Sequence, residues 1–118
     1  MSGPIDETAY AETLAMVGGD VGFLAELIAE YRSDGTTRVA DMRAALAAGE
    51  AEDLRRAAHT LKGSSASLGA VGLADACRAI EAAAREGRLD GLDGAVDSVA
   101  EQFDAVVAAL EERTGRPG

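Results

Sequence analysis

One short segment of the sequence gathers the side chains that could do chemistry. Residues 57–70 read AAHTLKGSSASLGA and contain the only histidine and the only lysine of the chain. His59, Lys62 and Gly63 stand at positions i, i+3 and i+4, so on a helix the lysine and the glycine flank the histidine on one face. A neutral imidazole is a good nucleophile and can form a covalent intermediate. The segment therefore indicates nucleophilic chemistry at His59.

The two neighbours of His59 narrow that chemistry. A glycine inside a helix costs about 1 kcal/mol relative to alanine, so Gly63 serves something other than helix stability and leaves the imidazole open on that flank. Lys62 stands where its ammonium could reach an anion carried on His59. Because the motif lacks the partners of an acyl-transfer triad and has a cation beside the nucleophile, phosphoryl transfer fits it best. The competing interpretation is a pair of solvated surface side chains.

The segment must lie on an amphipathic helix. Apolar and small residues recur at spacings of four, three, four and three, at Leu54, Ala58, Leu61, Ser65 and Leu68. This stripe predicts a helix that begins after Gly49, ends before Gly69 and buries these five residues. At about 100° per residue, His59 projects roughly 140° from the stripe and faces water.

A long helical pattern precedes this segment. Asp20 is placed as an N-cap, and one apolar face follows at Phe23, Leu24, Leu27, Ile28 and Tyr31, resuming at Val39, Met42 and Leu46. Gly35 interrupts the pattern, so residues 20–47 form either one bent helix or two short ones.

Two more amphipathic segments follow, one ending near Gly87 and one carrying an apolar stripe from Leu92 to Leu110. A short leading helix, roughly Asp6–Met16 with Leu14 inward, is expected to cap them. The pattern predicts an all-α fold, an antiparallel four-helix bundle with a short N-terminal capping helix. We expect one domain over residues 1–118, with a core over about 20–113 and a frayed tail at 114–118.

Composition excludes several classes of function. With 21 acidic against 11 basic residues and a net charge of -10, the chain is not a non-specific nucleic-acid binder. It has no apolar run long enough to span a membrane and no signal-peptide pattern, so we expect a cytoplasmic protein without a membrane partner. One cysteine and one histidine cannot form a structural zinc site, and Cys77 lies on an apolar stripe as a core residue.

The residues His59-Thr60-Leu61-Lys62-Gly63-Ser64-Ser65, followed by Leu68-Gly69-Ala70, resemble the signature of histidine-containing phosphotransfer (HPt) domains. In that family a phosphoryl group moves between the aspartate of a response-regulator receiver domain and the domain's histidine. The resemblance implies that His59 is phosphorylated, that Lys62 is the phosphate-side cation and that Gly63 keeps access open. Ser64 and Ser65 match small residues of the family whose role is mainly helix packing.

The resemblance also draws attention to the following helix. Glu81 falls where some family members place a glutamine or glutamate that hydrogen-bonds the imidazole, which would fix the tautomer. The alternative is a surface charge ladder of Arg78, Glu81 and Arg85. Arg85 is a further candidate for the phosphate side of the site.

These features predict a phosphorelay intermediate of a two-component system, whose partners are a response-regulator receiver domain and a sensor (hybrid) histidine kinase. No nucleotide-binding signature is present, so the chain is not expected to act as an ATP-dependent kinase. It needs no cofactor of its own, since the receiver's acidic site would supply Mg²⁺. We expect a monomer. One alternative is a docking module that regulates a receiver or kinase without being phosphorylated. Another is a phosphohistidine domain of a chemotaxis-type kinase, although the Met1 start and proline-containing end favour an independent protein.

Overall fold

Five helices make up the regular structure of the computed structural model, which describes residues 3–115. They are α1 (Glu7–Met16), α2 (Val21–Ala48), α3 (Ala51–Ser67), α4 (Val71–Arg85) and α5 (Asp93–Thr114). The four long helices are joined by short turns, and α3 packs on α4 and α2, while α5 packs on α2 and α4. The predicted all-α bundle with a short leading helix is confirmed for the described residues. None of the helices within residues 3–115 is long and apolar enough to cross a membrane.

The long segment that Gly35 interrupts is a single helix. α2 runs through Gly35 without a break. The residue is glycine because the ring of Phe103 on α5 occupies the space that a side chain would need. A Cβ at Gly35 would lie 2.2 Å from Phe103 Cε1. The same ring packs against Tyr31 at a centroid distance of 5.3 Å. Gly35 is therefore a contact point between two helices, and of the two predicted arrangements the chain adopts one helix.

The start of α2 partly differs from the sequence prediction. Asp20 is the N-cap as predicted, and its Oδ1 accepts a hydrogen bond from the Phe23 amide at 3.0 Å. The inward placement of Phe23 is wrong, since its residue surface is 47% exposed. Leu24, in the same turn, is fully buried, and Phe23 lies about 100° around the helix from it, at the edge of the buried stripe. Phe23 is therefore exposed because of its angular position on α2.

One continuous core lies between the helices. The predicted stripe of α3 is buried in full, at Leu54, Ala58, Leu61, Ser65 and Leu68. Cys77 on α4 is buried as predicted, and burial raises the pKa of its thiol to about 12. Side chains from α2, α3, α4 and α5 join the same buried cluster, with Tyr10 and Leu14 of α1 packed against it. The position of α3 is thus fixed by its buried face, which leaves the opposite face for the site.

The leading helix closes one end of the bundle. Asp6 is the N-cap of α1, and its amide donates to the Gly69 carbonyl at 2.8 Å. Gly69 follows the end of α3 with a φ of +86°, and a Cβ there would lie 3.0 Å from the Tyr10 amide nitrogen. At the other terminus, Thr114 is the last residue of α5 rather than part of a frayed tail, because Gly115 ends the helix in a left-handed conformation. The predicted tail at 116–118 lies outside the described residues.

Candidate functional site

His59 lies on the solvent-facing side of α3. Its side chain is 60% exposed, as expected for a residue far around the helix from the buried stripe. The stripe fixes the rotation of α3 about its axis, and this rotation directs His59 toward the neighbouring surface of α4. The predicted position of the histidine is confirmed.

A buried carboxylate on α4 contacts this histidine. Glu81 is only 3% exposed, and its Oε2 lies 2.7 Å from His59 Nδ1. The same oxygen accepts a hydrogen bond from Arg85 Nη2 at 3.2 Å, and Oε1 accepts one from Lys62 Nζ at 2.6 Å. Three of the residues that the sequence suggested for the site, His59, Lys62 and Arg85, therefore contact the carboxylate of the fourth, Glu81.

The electrostatics of this cluster decide the tautomer of His59. The hydrogen bond from Lys62 lowers the pKa of Glu81, and the hydrogen bond from His59 acts in the same direction, while burial opposes both. Glu81 is therefore ionised near neutral pH and can only accept hydrogen bonds. The hydrogen atom between the two residues consequently belongs to His59 Nδ1. In the neutral ring, Nε2 then carries the lone pair.

Of the two alternatives for Glu81, the structure has the contact with His59, and only one of the two contacts of a surface charge ladder is present. Glu81 is buried and faces α3, whereas Arg78 pairs with Asp75 on its own helix and does not contact Glu81. Only the Arg85 contact with Glu81, one helical turn apart, matches the ladder. The side chain of Arg85 is 63% exposed, so its guanidinium remains accessible from solvent while it contacts Glu81.

Lys62 is one of the two residues of α3 that contact the Glu81 carboxylate. Its side chain is 25% exposed, less than half as open as that of His59. One of the three ammonium hydrogens is used by Glu81, which leaves two donors for another acceptor. Lys62 is therefore a cation held in place beside His59 by the same carboxylate.

Gly63 lies on the exposed surface of α3, and nothing in the fold requires it to be glycine. A Cβ built there would have no neighbour within 4 Å. This contrasts with Gly35, where Phe103 excludes a side chain. The open space beside His59 is consequently available to a molecule that approaches from outside.

The serines of the segment contribute to packing, as the sequence predicted. Ser65 is fully buried and its Oγ lies 2.7 Å from Tyr31 Oη, which joins α3 to α2. Ser64 Oγ donates to carbonyls of its own helix, those of Thr60 and Leu61, at 3.3 Å. Neither hydroxyl contacts the imidazole.

Arg55 is a residue near the site that the sequence reading missed. It stands four residues before His59, so it lies on the same face of α3, and this spacing was the signal that could have identified it. Glu52 holds it through two hydrogen bonds, 2.8 Å to Nε and 2.6 Å to Nη2. The hydrogen bonds to Glu52 raise the pKa of Arg55, and the negative charge of Glu81 adds to this effect. Arg55 thus adds positive charge to the histidine face.

Within residues 3–115 no group of three or more histidine, cysteine, aspartate or glutamate side chains is arranged to hold a metal ion. The arrangement instead offers one exposed nucleophilic nitrogen, a buried carboxylate that holds the other ring nitrogen, and cations nearby.

Comparisons with known proteins agree with this geometry. The family model of the Hpt domain matches residues 26–112. A comparison with curated protein sequences gave no match. Among solved structures, histidine-containing phosphotransfer protein B (HptB) from Pseudomonas aeruginosa PAO1 is 27% identical and covers 100% of both chains with a TM-score of 0.88.

A second solved structure has the same fold. The histidine-containing phosphotransfer protein ZmHP2 from maize is 24% identical, with a TM-score of 0.80 over 96% of this chain and 90% of its own. The family match spans α3 and α4, the two helices that carry the histidine and its carboxylate. The chain therefore belongs to the Hpt domain family, and its role is histidine phosphotransfer in a phosphorelay of two-component signalling.

Proposed function

We propose that His59 carries the phosphoryl group in this relay, accepting it from and returning it to the aspartate of a response-regulator receiver domain. The observation that supports this most directly is the 2.7 Å contact between His59 Nδ1 and the buried Glu81 carboxylate. It orients the ring and leaves Nε2 as the nucleophilic nitrogen of an exposed side chain. Glu81 is thus an imidazole-orienting residue rather than a group that touches the phosphoryl.

The transfer step follows from these positions. Nε2 attacks the phosphorus of the receiver's aspartyl phosphate and forms the N–P bond. The P–O bond to the aspartate breaks, and its electron pair leaves with the carboxylate. Lys62 offsets charge on the phosphoryl oxygens through its remaining hydrogens, and Arg85 assists from α4. The Mg²⁺ for this chemistry belongs to the receiver's acidic site, so the chain needs no cofactor of its own.

Gly63 keeps the surface beside the ring open for the receiver. Its lack of a side chain is not required by internal packing, because a Cβ there would meet nothing within 4 Å. Ala66, exposed one turn further on, adds a small apolar contact to the same docking face.

The partners that fit this chemistry are receiver domains and a sensor (hybrid) histidine kinase. Phosphate reaches the protein from such a partner, in the cytoplasm, where two-component receivers act. We propose that the protein works as a monomer, because each protomer holds His59, Lys62 and Glu81 within contact of one another.

The test is transfer from a phosphorylated receiver. A receiver domain charged with a small phosphodonor should pass acid-labile label to the wild-type protein and to Arg78→Ala, which lies outside the cluster. His59→Gln should accept none, while its circular dichroism remains that of a helical bundle. Label on His59→Gln would show that the site assignment is wrong. A wild-type protein that binds receivers of its source but takes label from none would instead support the non-phosphorylated docking module.

A further inference from the structure

The carboxylate of Glu81, which contacts His59, is charged and shielded from water. A neutral amide in its place could orient the ring equally well, since an amide oxygen also accepts from Nδ1–H. The carboxylate does more, because it stabilises a positive charge on the ring in a setting where little solvent competes. Glu81 is 3% exposed, whereas the side chain of His59 that it contacts is 60% exposed.

We propose that Glu81 keeps the proton on Nδ1 after Nε2 has been phosphorylated, and thereby holds the phosphohistidine in the form that can give its phosphoryl group away. This inference rests on the proposed function, since it presupposes a phosphoryl group on His59. It assigns to Glu81 a positioning role in the donation of the phosphoryl group, where the imidazole ring of His59 is the leaving group.

The chemistry of the N–P bond explains why this proton matters. When the phosphoryl group passes to an oxygen acceptor, a P–O bond forms, the N–P bond breaks and its electron pair stays on Nε2. With a hydrogen on Nδ1, the departing ring is a neutral imidazole. Without that hydrogen, it would depart as an imidazolide anion, a far poorer leaving group. With Glu81 holding Nδ1–H throughout, neither direction of transfer requires a proton to move.

The charges around the ring are consistent with this role. α4 supplies Glu81 and Arg85, and α3 itself supplies Lys62 and, one turn earlier, Arg55 with its partner Glu52. Of the other helices packed on α3, α2 meets it through the Tyr31–Ser65 contact and α1 through a hydrogen bond from Thr13 to the Ser67 carbonyl. In the described part of the chain, neither brings a charged side chain into contact with His59.

The charge balance of the inner cluster points the same way. Glu81 carries one negative charge against the two positive charges of Lys62 and Arg85. A doubly charged phosphoryl group together with a protonated ring brings the cluster to neutrality. Loss of the Nδ1 proton would leave a net negative charge beside a buried carboxylate. The hydrogen bonds that lower the pKa of Glu81 keep this carboxylate ionised to receive the ring's charge.

The test compares how the rate of phosphohistidine hydrolysis depends on pH in three variants of the protein. Wild type, Glu81→Gln and the control Glu86→Gln would be phosphorylated with potassium phosphoramidate, and loss of the phosphohistidine ³¹P signal to water followed between pH 5 and 10. In wild type and Glu86→Gln, the fall in hydrolysis rate should have its midpoint about one to two pH units higher than in Glu81→Gln. Glu86→Gln removes an equal charge from the C-cap of α4, where Glu86 pairs with Arg88.

A second measurement needs no variant. In phosphorylated wild-type protein at pH 8, the ¹⁵N shift of Nδ1 should be that of a protonated ring nitrogen. An unprotonated Nδ1 there, or midpoints that coincide in wild type and folded Glu81→Gln, would overturn the inference while leaving His59 as the phosphorylated residue. If phosphoramidate or a receiver labels His59→Gln as well as wild type, the proposed function itself fails.

Discussion

At the scale of single residues, Glu81 has the most demanding position in the molecule. A buried carboxylate is costly unless it is paired, and removal of one partner of a buried pair destabilises a protein by about 3–5 kcal/mol. Glu81 meets that cost with three donors, His59, Lys62 and Arg85. Two of these donors, His59 and Arg85, are largely exposed and Lys62 is partly exposed, so the cluster is buried on the side of the carboxylate and open on the side of the histidine. Stability and reactivity therefore depend on the same few hydrogen bonds.

Substitution of Lys62 should affect both the transfer rate and the stability of the protein, which can be measured separately. Lys62→Ala removes the cation nearest the proposed phosphoryl oxygens, so transfer from a receiver should slow by about tenfold or more. It also removes the donor to Glu81 Oε1, but His59 and Arg85 still pair with the carboxylate. The free energy of unfolding should therefore fall by about 1.5–3 kcal/mol, the value of one hydrogen bond to a charged group, with the helical content intact. Time courses of phosphoryl transfer measure the change in rate, and urea denaturation measures the change in stability.

Arg78→Ala is the matched control for this change. It deletes an exposed cation on α4 whose partner is Asp75, so neither rate nor stability should change appreciably. A Lys62→Ala protein that transfers at the wild-type rate would show that Lys62 is a structural partner of Glu81 alone. Loss of the helical circular dichroism signal would show that the bundle depends on it.

At the scale of helices, Gly35 in the middle of α2 and Gly63 in α3 are glycines for opposite reasons. Gly35 admits the ring of Phe103, which lies where its side chain would be, whereas Gly63 faces open space. The first is a requirement of packing between α2 and α5. The second is a surface feature whose purpose lies outside the bundle.

This contrast makes a prediction for alanine substitutions. Gly35→Ala should lower the free energy of unfolding by about 1–3 kcal/mol, because Phe103 must move to avoid the new Cβ. Gly63→Ala should raise it by about 0.5–1 kcal/mol, since alanine is the better helix former and meets no neighbour. Thermal or urea unfolding of the two variants checks the signs. Equal effects at both positions would contradict the Phe103 contact as the reason for Gly35.

The pairing of α3 with α4 creates the site. α3 alone presents a histidine, a lysine and a glycine on a solvent-facing surface. Only the adjacent α4 supplies the carboxylate that fixes the ring and holds the lysine. The short connection around Gly69, fixed by α1 through Asp6 and Tyr10, sets how these two helices align.

At the scale of the whole molecule, two buried acids link global stability to alkaline pH. Burial raises the pKa of Tyr31 from 10.0 to about 12 and that of Cys77 from 9.0 to about 12. In the unfolded chain both groups lose their protons at lower pH than in the folded protein. Their contribution to stability is therefore complete below pH 9 and is lost as pH rises toward 12.

The expected slope can be measured. Between pH 9 and 10 the free energy of unfolding should fall through Cys77, and above pH 10 through Tyr31 as well, by about 1.4 kcal/mol per pH unit for each group. Urea unfolding under reducing conditions measures it. Cys77→Ala should be less stable than wild type below pH 9 but show a shallower decline between pH 9 and 10. A decline equal to that of wild type would rule out Cys77 as its source.

The sequence by itself determined the helices and the exposed position of His59, the proposed nucleophile. Hydrophobic spacing is a local property, so it predicted α3 and its buried stripe, the exposure of His59 and the burial of Cys77. The same local logic located the N-cap Asp20 and the end of α3 near Gly69. The motif around His59 indicated the family, because its residue types are those that the chemistry of the family requires.

Only the tertiary structure decided what lies across from these residues. Spacing on α4 left Glu81 either at the histidine or in a surface ladder, since the rotation of α4 against α3 depends on packing between them. Gly35 could break a helix or admit a neighbour, and the ring of Phe103, distant in sequence, settled the matter. Phe23 had the apolar character of a core residue, but it lies about 100° around α2 from the buried Leu24 and is left half-exposed. In each case the missing information was which side chains of the neighbouring helices face the residue, which a one-dimensional pattern does not contain.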